Sequence, residues 1–242
     1  YLRIAPELSL KRLLVAGFDK VFEIGRVFRN EGIDREHLQD YTQLEFYWAY
    51  AGVNELRPFV RELYQKVISD TLGALTHQCG KTTVDWGGNW QTYDYHEYMK
   101  KHAGVDLSTI NETALRKHAR ELGLEPEGHI GWGRVVDLIF KKVVRPHLIE
   151  PGFLVNPPVE IEPLAKRVDG NPDRVQRIQV VACGTELGKG FSELNDPIDQ
   201  RGRMEREVKL RGKGDKEAQR IDDDFIEAME YGMPPTAGLG MG

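Results

Sequence analysis

The chain has 242 residues, 40% hydrophobic and 29% charged, with a formal net charge of −5. That is enough to bury a sizeable core as one large domain or two, and the acidic balance excludes an overall basic footprint for nucleic acid, leaving any RNA contact local or supplied by another part of the protein. No apolar run approaches the roughly 20 residues of a membrane helix, YLRIAPEL lacks the basic-then-apolar order of a leader, and Cys79 and Cys183 are too few and too isolated for a disulfide framework or a zinc site, so a reducing, cytoplasmic setting is expected.

In chain order, YLRIAP reads as a short extended piece. A helix follows, with Pro6 in its first turn, an apolar stripe through Leu8, Leu10, Leu13, Leu14 and Val15, and a stop near Gly17. Glu7 falls at the junction, where the helix dipole favours an acid. From Val21 to Arg29 the residues alternate at period two, and from Tyr41 they do so again. NEGIDREHLQD between them is too polar for a core. Paired antiparallel, the two strands put Arg29, Glu45 and Tyr47 on one face and leave the aromatics of the other face, with Phe22, Ile24 and Phe28, to supply core. A cation, a carboxylate and a phenol under a charged loop suit a polar ligand site; the same pattern suits a surface hairpin with a solvated tip.

Residues 53–72 carry the spacing of a long amphipathic helix capped near Asn54. Thr82 to Trp86 is predicted as a strand and Asp94 to His102 as a short helix; His96 and His102 have no acid or cysteine at metal-ligand spacing. Leu107 to Leu148 reads as helical, with a cap at Asn111 and a break around Pro126 to Gly133. Phe153-Leu154-Val155 is a buried strand before a proline-stiffened loop. A second hairpin is predicted from a strand at Val175 to Leu187, a GKG turn, and FSELNDP. Residues 197–211 form a charged helix with a solvated face, 222–231 a short helix, and TAGLGMG a glycine-rich turn. Two antiparallel hairpins with helices packed on them and inserted between them make an α+β domain.

FRNEG, followed by His37 and then LEFYWAYA, resembles motif 2 of the class II aminoacyl-tRNA synthetases, and within that class the lysyl enzymes most. GFLVNPPVEIEPLAKR and FSELNDPIDQR are similar to further lysyl segments, and the terminal GLGMG resembles the start of motif 3. The resemblance implies a class II antiparallel sheet with flanking helices. It puts motif 2 at residues 21–50, a helical insertion at about 104–148, a second active-site hairpin at 175–196 and the motif 3 start at 236–242. Motif 1 and an anticodon-binding barrel are expected upstream of Tyr1, so the chain is expected to be an incomplete catalytic domain with little activity alone.

The implied reaction activates lysine with ATP to lysyl-adenylate and transfers the lysyl group to tRNA(Lys), in an enzyme that is a homodimer at full length. No protein nucleophile is needed; positioning and charge stabilisation lower the barrier. By resemblance Arg29 bridges the α-phosphate and the lysine carboxylate, a task that suits a planar guanidinium. Glu31, His37, Tyr41 and Glu186 contact ATP. Glu7 receives the α-ammonium, Glu45, Tyr47 and Glu193 the side-chain ammonium, and Phe191 packs on the aliphatic stem. Magnesium is assigned to Glu186 and the position of Gln179, where the family has a second glutamate; both reach one metal only if a bulge, expected at Gly184, interrupts the alternation. Further departures are Leu38 for an asparagine, Lys189 for an asparagine, and Glu162 for the serine of SPLAK. Two other readings stay open: a paralogue that lysylates an elongation factor, and a module that binds lysine or ATP without catalysis.

Overall fold

The computed structural model describes residues 2–29, 32, 37–212 and 221–242. The chain begins with α1 (Glu7–Val15), β1 (Lys20–Phe28), β2 (Asp40–Ala49) and α2 (Val53–Leu72). Then come β3 (Thr76–Cys79), β4 (Thr82–Asp85), β5 (Gln91–Asp94), α3 (Tyr95–Ala103), α4 (Glu112–Glu121) and α5 (Trp132–Ile139). The remainder is β6 (Gly152–Val155), β7 (Arg167–Val168), β8 (Asn171–Val175), β9 (Arg177–Ala182), β10 (Thr185–Ser192), α6 (Pro197–Gly212), α7 (Asp223–Glu230) and β11 (Thr236–Met241). A seven-stranded sheet in the order β1-β2-β11-β10-β9-β6-β5 is the frame, antiparallel throughout except for the β5–β6 pair. Mixed sheet and helices together are an α+β fold.

Alternation along the strands divides this sheet into an apolar and a polar face. Phe153, Val155, Ile178, Val180, Ala237 and Leu239 pack under Leu56 and Val60 of α2. Phe46 and Trp48 meet Phe59 edge-on, with ring centroids 5.4 and 6.2 Å apart. Residues one position along each strand make the opposite face: Gln43, Glu45 and Tyr47 on β2, Gly238 and Gly240 on β11, Lys189 and Phe191 on β10, Arg177 and Gln179 on β9. The core predicted for β1 does not form, because α2 does not reach the edge strand: Phe22 is 71% and Ile24 63% exposed.

A second core joins the insertion to the sheet. Met99, Leu115, Val135, Val136, Ile139 and Phe140 bury each other against Leu154 and Val181. Asn111 caps α4 as expected, accepting from the Ala114 N–H at 2.9 Å. The two helices expected within 107–148 are separate, as the break around Pro126 to Gly133 predicts, but the second is not regular to its end: α5 runs into a π-helical turn at Phe140–Val144. The long helix α2 is capped by Gly52, not Asn54, since the Glu55 carboxylate accepts the Gly52 N–H at 2.8 Å and Ser192 Oγ accepts that of Val53 at 3.0 Å. Opposite its solvated side, α6 has a buried face toward the fold: Arg203 is 3% exposed, donates to Asp199 and to the Ala165 carbonyl, and Gln200 is fully enclosed.

The second hairpin turns earlier than predicted. Cys183 and Gly184, with φ of 55° and 73°, make a two-residue turn in which both residues lie in the left-handed region, the arrangement that matches strand twist. Residues 188–190 are therefore strand, not turn. TAGLGMG is likewise not a turn but β11, the strand that zips β2 to β10. Cys183 also meets Cys79 of the β3–β4 hairpin in a disulfide across 104 residues, a pairing that sequence separation hid. No described helix is long and apolar enough to cross a membrane.

Glycine at 238 is a requirement of this face: a Cβ there would run into the Tyr47 ring and the Glu193 carboxylate. Gly238→Ala is expected to cost about 1–3 kcal/mol of stability in chemical denaturation, the range for overpacking a filled site.

Candidate functional site

Cross-strand register writes two rows over the polar face. One runs Glu23, Glu45, Gly240, Lys189, Gln179; the other runs Val21, Tyr47, Gly238, Phe191, Arg177. The glycine column on β11 has no side chains: the Tyr47 ring and the Glu193 carboxylate close over Gly238, and a trough between the β2 acids and the β10 residues is left toward half-buried Gly240. Arg29 follows β1 on the same face. Its N–H donates to the Gln39 carbonyl at 2.8 Å, extending the ladder beyond the last strand residue. Its guanidinium lies 5.5 Å from the centre of the Tyr41 ring.

At one end of the trough α1 delivers Glu7 and, one turn later, Lys11. The Lys11 ammonium is 2.7 Å from Glu7 Oε1 and forms an ion pair with Glu193 Oε2. It also lies 5.8 and 5.3 Å from the ring centres of Tyr47 and Phe191, within reach of a cation–π attraction. Lys11 and Glu193 are each 1% exposed. Glu45 accepts from Gln43 Nε2 at 2.5 Å and from the Tyr47 hydroxyl at 2.8 Å. Glu193 Oε1, also buried, has no hydrogen-bond donor among the described residues. A buried carboxylate oxygen without a donor is costly, and in native proteins it marks a place that something else fills.

These groups perturb one another. Burial raises the Glu45 carboxyl to about 7, with Glu7 adding to the rise and Tyr47, Lys11 and Arg29 opposing it. Burial also pushes Glu193 far up, and Lys11 pulls it back. For Lys11 burial favours the neutral amine, but Glu193 and Glu7 outweigh that and hold it above its ordinary value. The result is a desolvated cluster in which the Glu45 proton is released near neutrality.

Glu7, Glu45, Tyr47, Phe191 and Glu193, five positions from three distant stretches, therefore converge. Arg29 is close enough to Glu45 to act on its ionisation. His37 and Leu38 are exposed on the loop before β2, Tyr41 is half-buried, and Glu31 lies outside the described residues. Lys11 was not singled out from the sequence. Its signal was there: Glu7, Leu10, Lys11 and Leu14 follow the 3.6-residue spacing of one helix face, so a lysine on that buried stripe needed an acid.

The magnesium pair fares differently. A register shift between Glu186 and Gly188 leaves Leu187 as the bulge residue and turns Glu186 onto the face of Gln179, so the expected bulge exists at Leu187 and not at Gly184. Yet Gln179 Nε2 donates to Glu186, and Gln179 Oε1 accepts from Arg177 Nη2 at 2.8 Å. Flipping the amide would set its NH2 against the guanidinium and its oxygen against the carboxylate, so the network fixes its orientation. The amide oxygen is thus already engaged by a cation. Among the described residues no cluster of three or more His, Cys, Asp or Glu is placed to hold a metal. Gln179 and Glu186 do not fit a carboxylate pair for magnesium.

Lys11→Met is expected to destabilise the protein by about 3–5 kcal/mol near pH 8, because it leaves Glu193 buried without its counter-charge. Without that cation the Glu193 carboxyl titrates higher still. The folded variant then keeps a proton that the unfolded chain releases above about pH 4.3. Urea melts across pH 5 to 8 should show its deficit growing as pH rises.

The sequence profile of the tRNA synthetases class II (D, K and N) matches residues 1–242. Among curated proteins, the lysine–tRNA ligase of Pelotomaculum thermopropionicum is 45% identical over 245 residues, covering 100% of this chain and 48% of that protein. Those of Porphyromonas gingivalis and Carboxydothermus hydrogenoformans are each 43% identical across 100% of this chain, and 42% and 50% of their own lengths. The chain thus spans about half the length of the curated relatives it matches. With the profile matched from the first residue to the last, the chain belongs to the class II tRNA synthetases of the D, K and N group.

Proposed function

We propose that the chain is catalytic machinery of a lysine–tRNA ligase. A carboxylate oxygen of L-lysine attacks the α-phosphorus of ATP, pyrophosphate leaves, and lysyl-adenylate forms. A ribose hydroxyl at the end of tRNA(Lys) then attacks the activated carbonyl, and AMP leaves. The observation that carries this reading is the buried acid cluster with its unfilled oxygen. With all three acids ionised, Glu7, Glu45 and Glu193 against Lys11 and Arg29 leave one negative charge. Lysine, with two ammonium groups and one carboxylate, brings one positive charge and neutralises the site. An acidic or amide amino acid does not.

In this reading Glu193 Oε1 and Glu45 receive the side-chain ammonium, with Tyr47 orienting Glu45 and Phe191 flanking the aliphatic stem. Glu7 keeps an oxygen for the α-ammonium. Arg29 spans the lysine carboxylate and the α-phosphate, where its fork stabilises the charge that builds on phosphorus. Tyr41 offers its ring to adenine, His37 and Glu31 serve the nucleotide from the loop, and the glycine trough admits the backbone-hugging adenylate. Magnesium would come bound to the triphosphate, and Glu186 is the acid this chain would offer it. The uncovered apolar edge at Phe22 and Ile24 suits a second copy, and we assign the full-length enzyme to the cytoplasm as a homodimer.

Lysine-dependent ATP–pyrophosphate exchange by the full-length protein, followed by charging of tRNA(Lys), tests the reading; absence of exchange overturns it, and exchange without charging points to another acyl acceptor. Glu193→Gln is expected to reduce kcat/KM for lysine by a factor of about 10²–10³, as loss of a buried charge partner costs roughly 2–5 kcal/mol.

Protonation gives an independent check. Lysine binds the ionised form of Glu45, so its KM should fall as pH rises through about 7, where that carboxyl loses its proton. Glu45→Gln should flatten this part of the profile.

A further inference from the structure

Beside the acid cluster lies a second charged network, of which the reaction above uses only Glu186. Glu162, 5% exposed, follows a short 3-10 turn at Val159–Ile161 and packs on the polar face over β9 and β10. Its Oε2 is 3.2 Å from Arg177 Nη1 and 3.2 Å from Lys189 Nζ, and its Oε1 is 3.3 Å from the same ammonium. Arg177, 5% exposed, also donates to Gln179 and stacks its guanidinium 5.7 Å from the Tyr95 ring centre. Gln179 in turn donates to Glu186. The three positions at which the sequence departs from the lysyl pattern on this side of the site, Glu162, Gln179 and Lys189, are thus joined in one chain of contacts.

Its charge balance is informative. Glu162 and Glu186 offset Arg177 and Lys189, so the network is neutral without a metal ion. Its members differ in access. Glu162 and Arg177 are enclosed, whereas the Lys189 side chain is 41% exposed. Its cross-strand neighbour on the trough side is Gly240, which has no side chain to cover it. Glu162 grips the ammonium from one side, and the open side faces the trough. A fixed cation at the edge of a trough is a binding site for an oxyanion.

We propose that Lys189 is this chain's own fixed cation for the phosphate oxygens of the bound nucleotide, held by Glu162 and standing in for a divalent ion anchored by a carboxylate pair. The inference rests on the nucleotide-binding reading above. Phosphate is favoured over the substrate carboxylate because Arg29, on the other side of the trough, already serves that carboxylate. Lys189 also belongs to the Gln179–Glu186 side, where a protein-held metal does not fit.

The test uses the full-length protein and α,β-methylene-ATP, measured by calorimetry with magnesium and again in EDTA. Wild type should keep measurable affinity in EDTA. Lys189→Met should weaken that affinity at least tenfold, with a smaller loss when magnesium is saturating, while Lys189→Arg should restore most of it. Glu162→Gln, whose folding is checked by thermal melt, should weaken binding in EDTA and add little to Lys189→Met, as a positioning residue would. Equal affinity of wild type and Lys189→Met in EDTA overturns the proposal, as does loss of all wild-type binding there. A Lys189→Met defect confined to lysine, and absent with lysinol, which lacks the carboxylate, overturns it in favour of the amino-acid carboxylate. If wild type shows no lysine-dependent pyrophosphate exchange, the functional reading itself fails. If exchange persists and the EDTA result is negative, only this inference fails.

Discussion

A lysine ammonium buried between two carboxylates is the interaction on which the site depends. Lys11 comes from the first helix, Glu7 from one turn before it, and Glu193 from just beyond the end of β10. Each group alone would be expelled from a desolvated pocket or neutralised there. Together they tie α1 to β10 across the polar face, and so determine where Tyr47 and Phe191 stand. The bridge is weak evidence for stability in itself, since its desolvation cost offsets much of its attraction. What it provides is placement: the helix cannot shift without exposing Glu193 to an uncompensated charge, and Glu193 keeps an oxygen aimed over Gly238.

The sheet makes this arrangement open to a ligand. Side chains on β2 and β10 stand on either side of β11, and β11 contributes glycine at both positions that face the site. The β11 backbone therefore forms the floor. Gly238 is pinned by the Tyr47 ring and the Glu193 carboxylate, and Gly240 lies against Gln43 and Glu45. The polar face carries the charged cluster, and the α2 face is apolar because it is core. One strand pattern with period two supplies both.

This explains what the sequence made legible. Alternation in VFEIGRVFR and YTQLEFYWA is a local property, so β1, β2 and the shared face of Glu45 and Tyr47 could be read directly. Convergence of Glu7 and Glu193 on that face depends on contacts far apart in the chain, and it came from resemblance to a family. The errors follow the same division. GKG and TAGLGMG look like turns because glycine usually breaks strands; here glycine is needed for close approach, and the true turn is the inconspicuous Cys183-Gly184 pair. Phe22 and Ile24 have the right period for a core, but no alternation pattern reveals that α2 stops short of the edge strand. Lys11 was passed over because charge on a helix is normally solvated, although its position between Leu10 and Leu14 placed it on the buried stripe.

The two charged networks divide the trough by sign. On the α1 side Glu7, Glu45 and Glu193, once ionised, exceed Lys11 and Arg29, the balance that the proposed lysine site requires. On the β9 side the charges balance, and of the two cations Lys189, not the enclosed Arg177, is the accessible one, which the proposal gives to phosphate. In the proposed reaction a substrate pair with ammonium at one end and phosphates at the other would thus have a direction along the face before any specific contact forms. Arg29, placed by the β1–β2 pair beside Glu45, is positioned where those opposite preferences meet. A carboxylate about to become an acyl phosphate needs a neighbour of that kind, since charge passes from the amino acid to the nucleotide there.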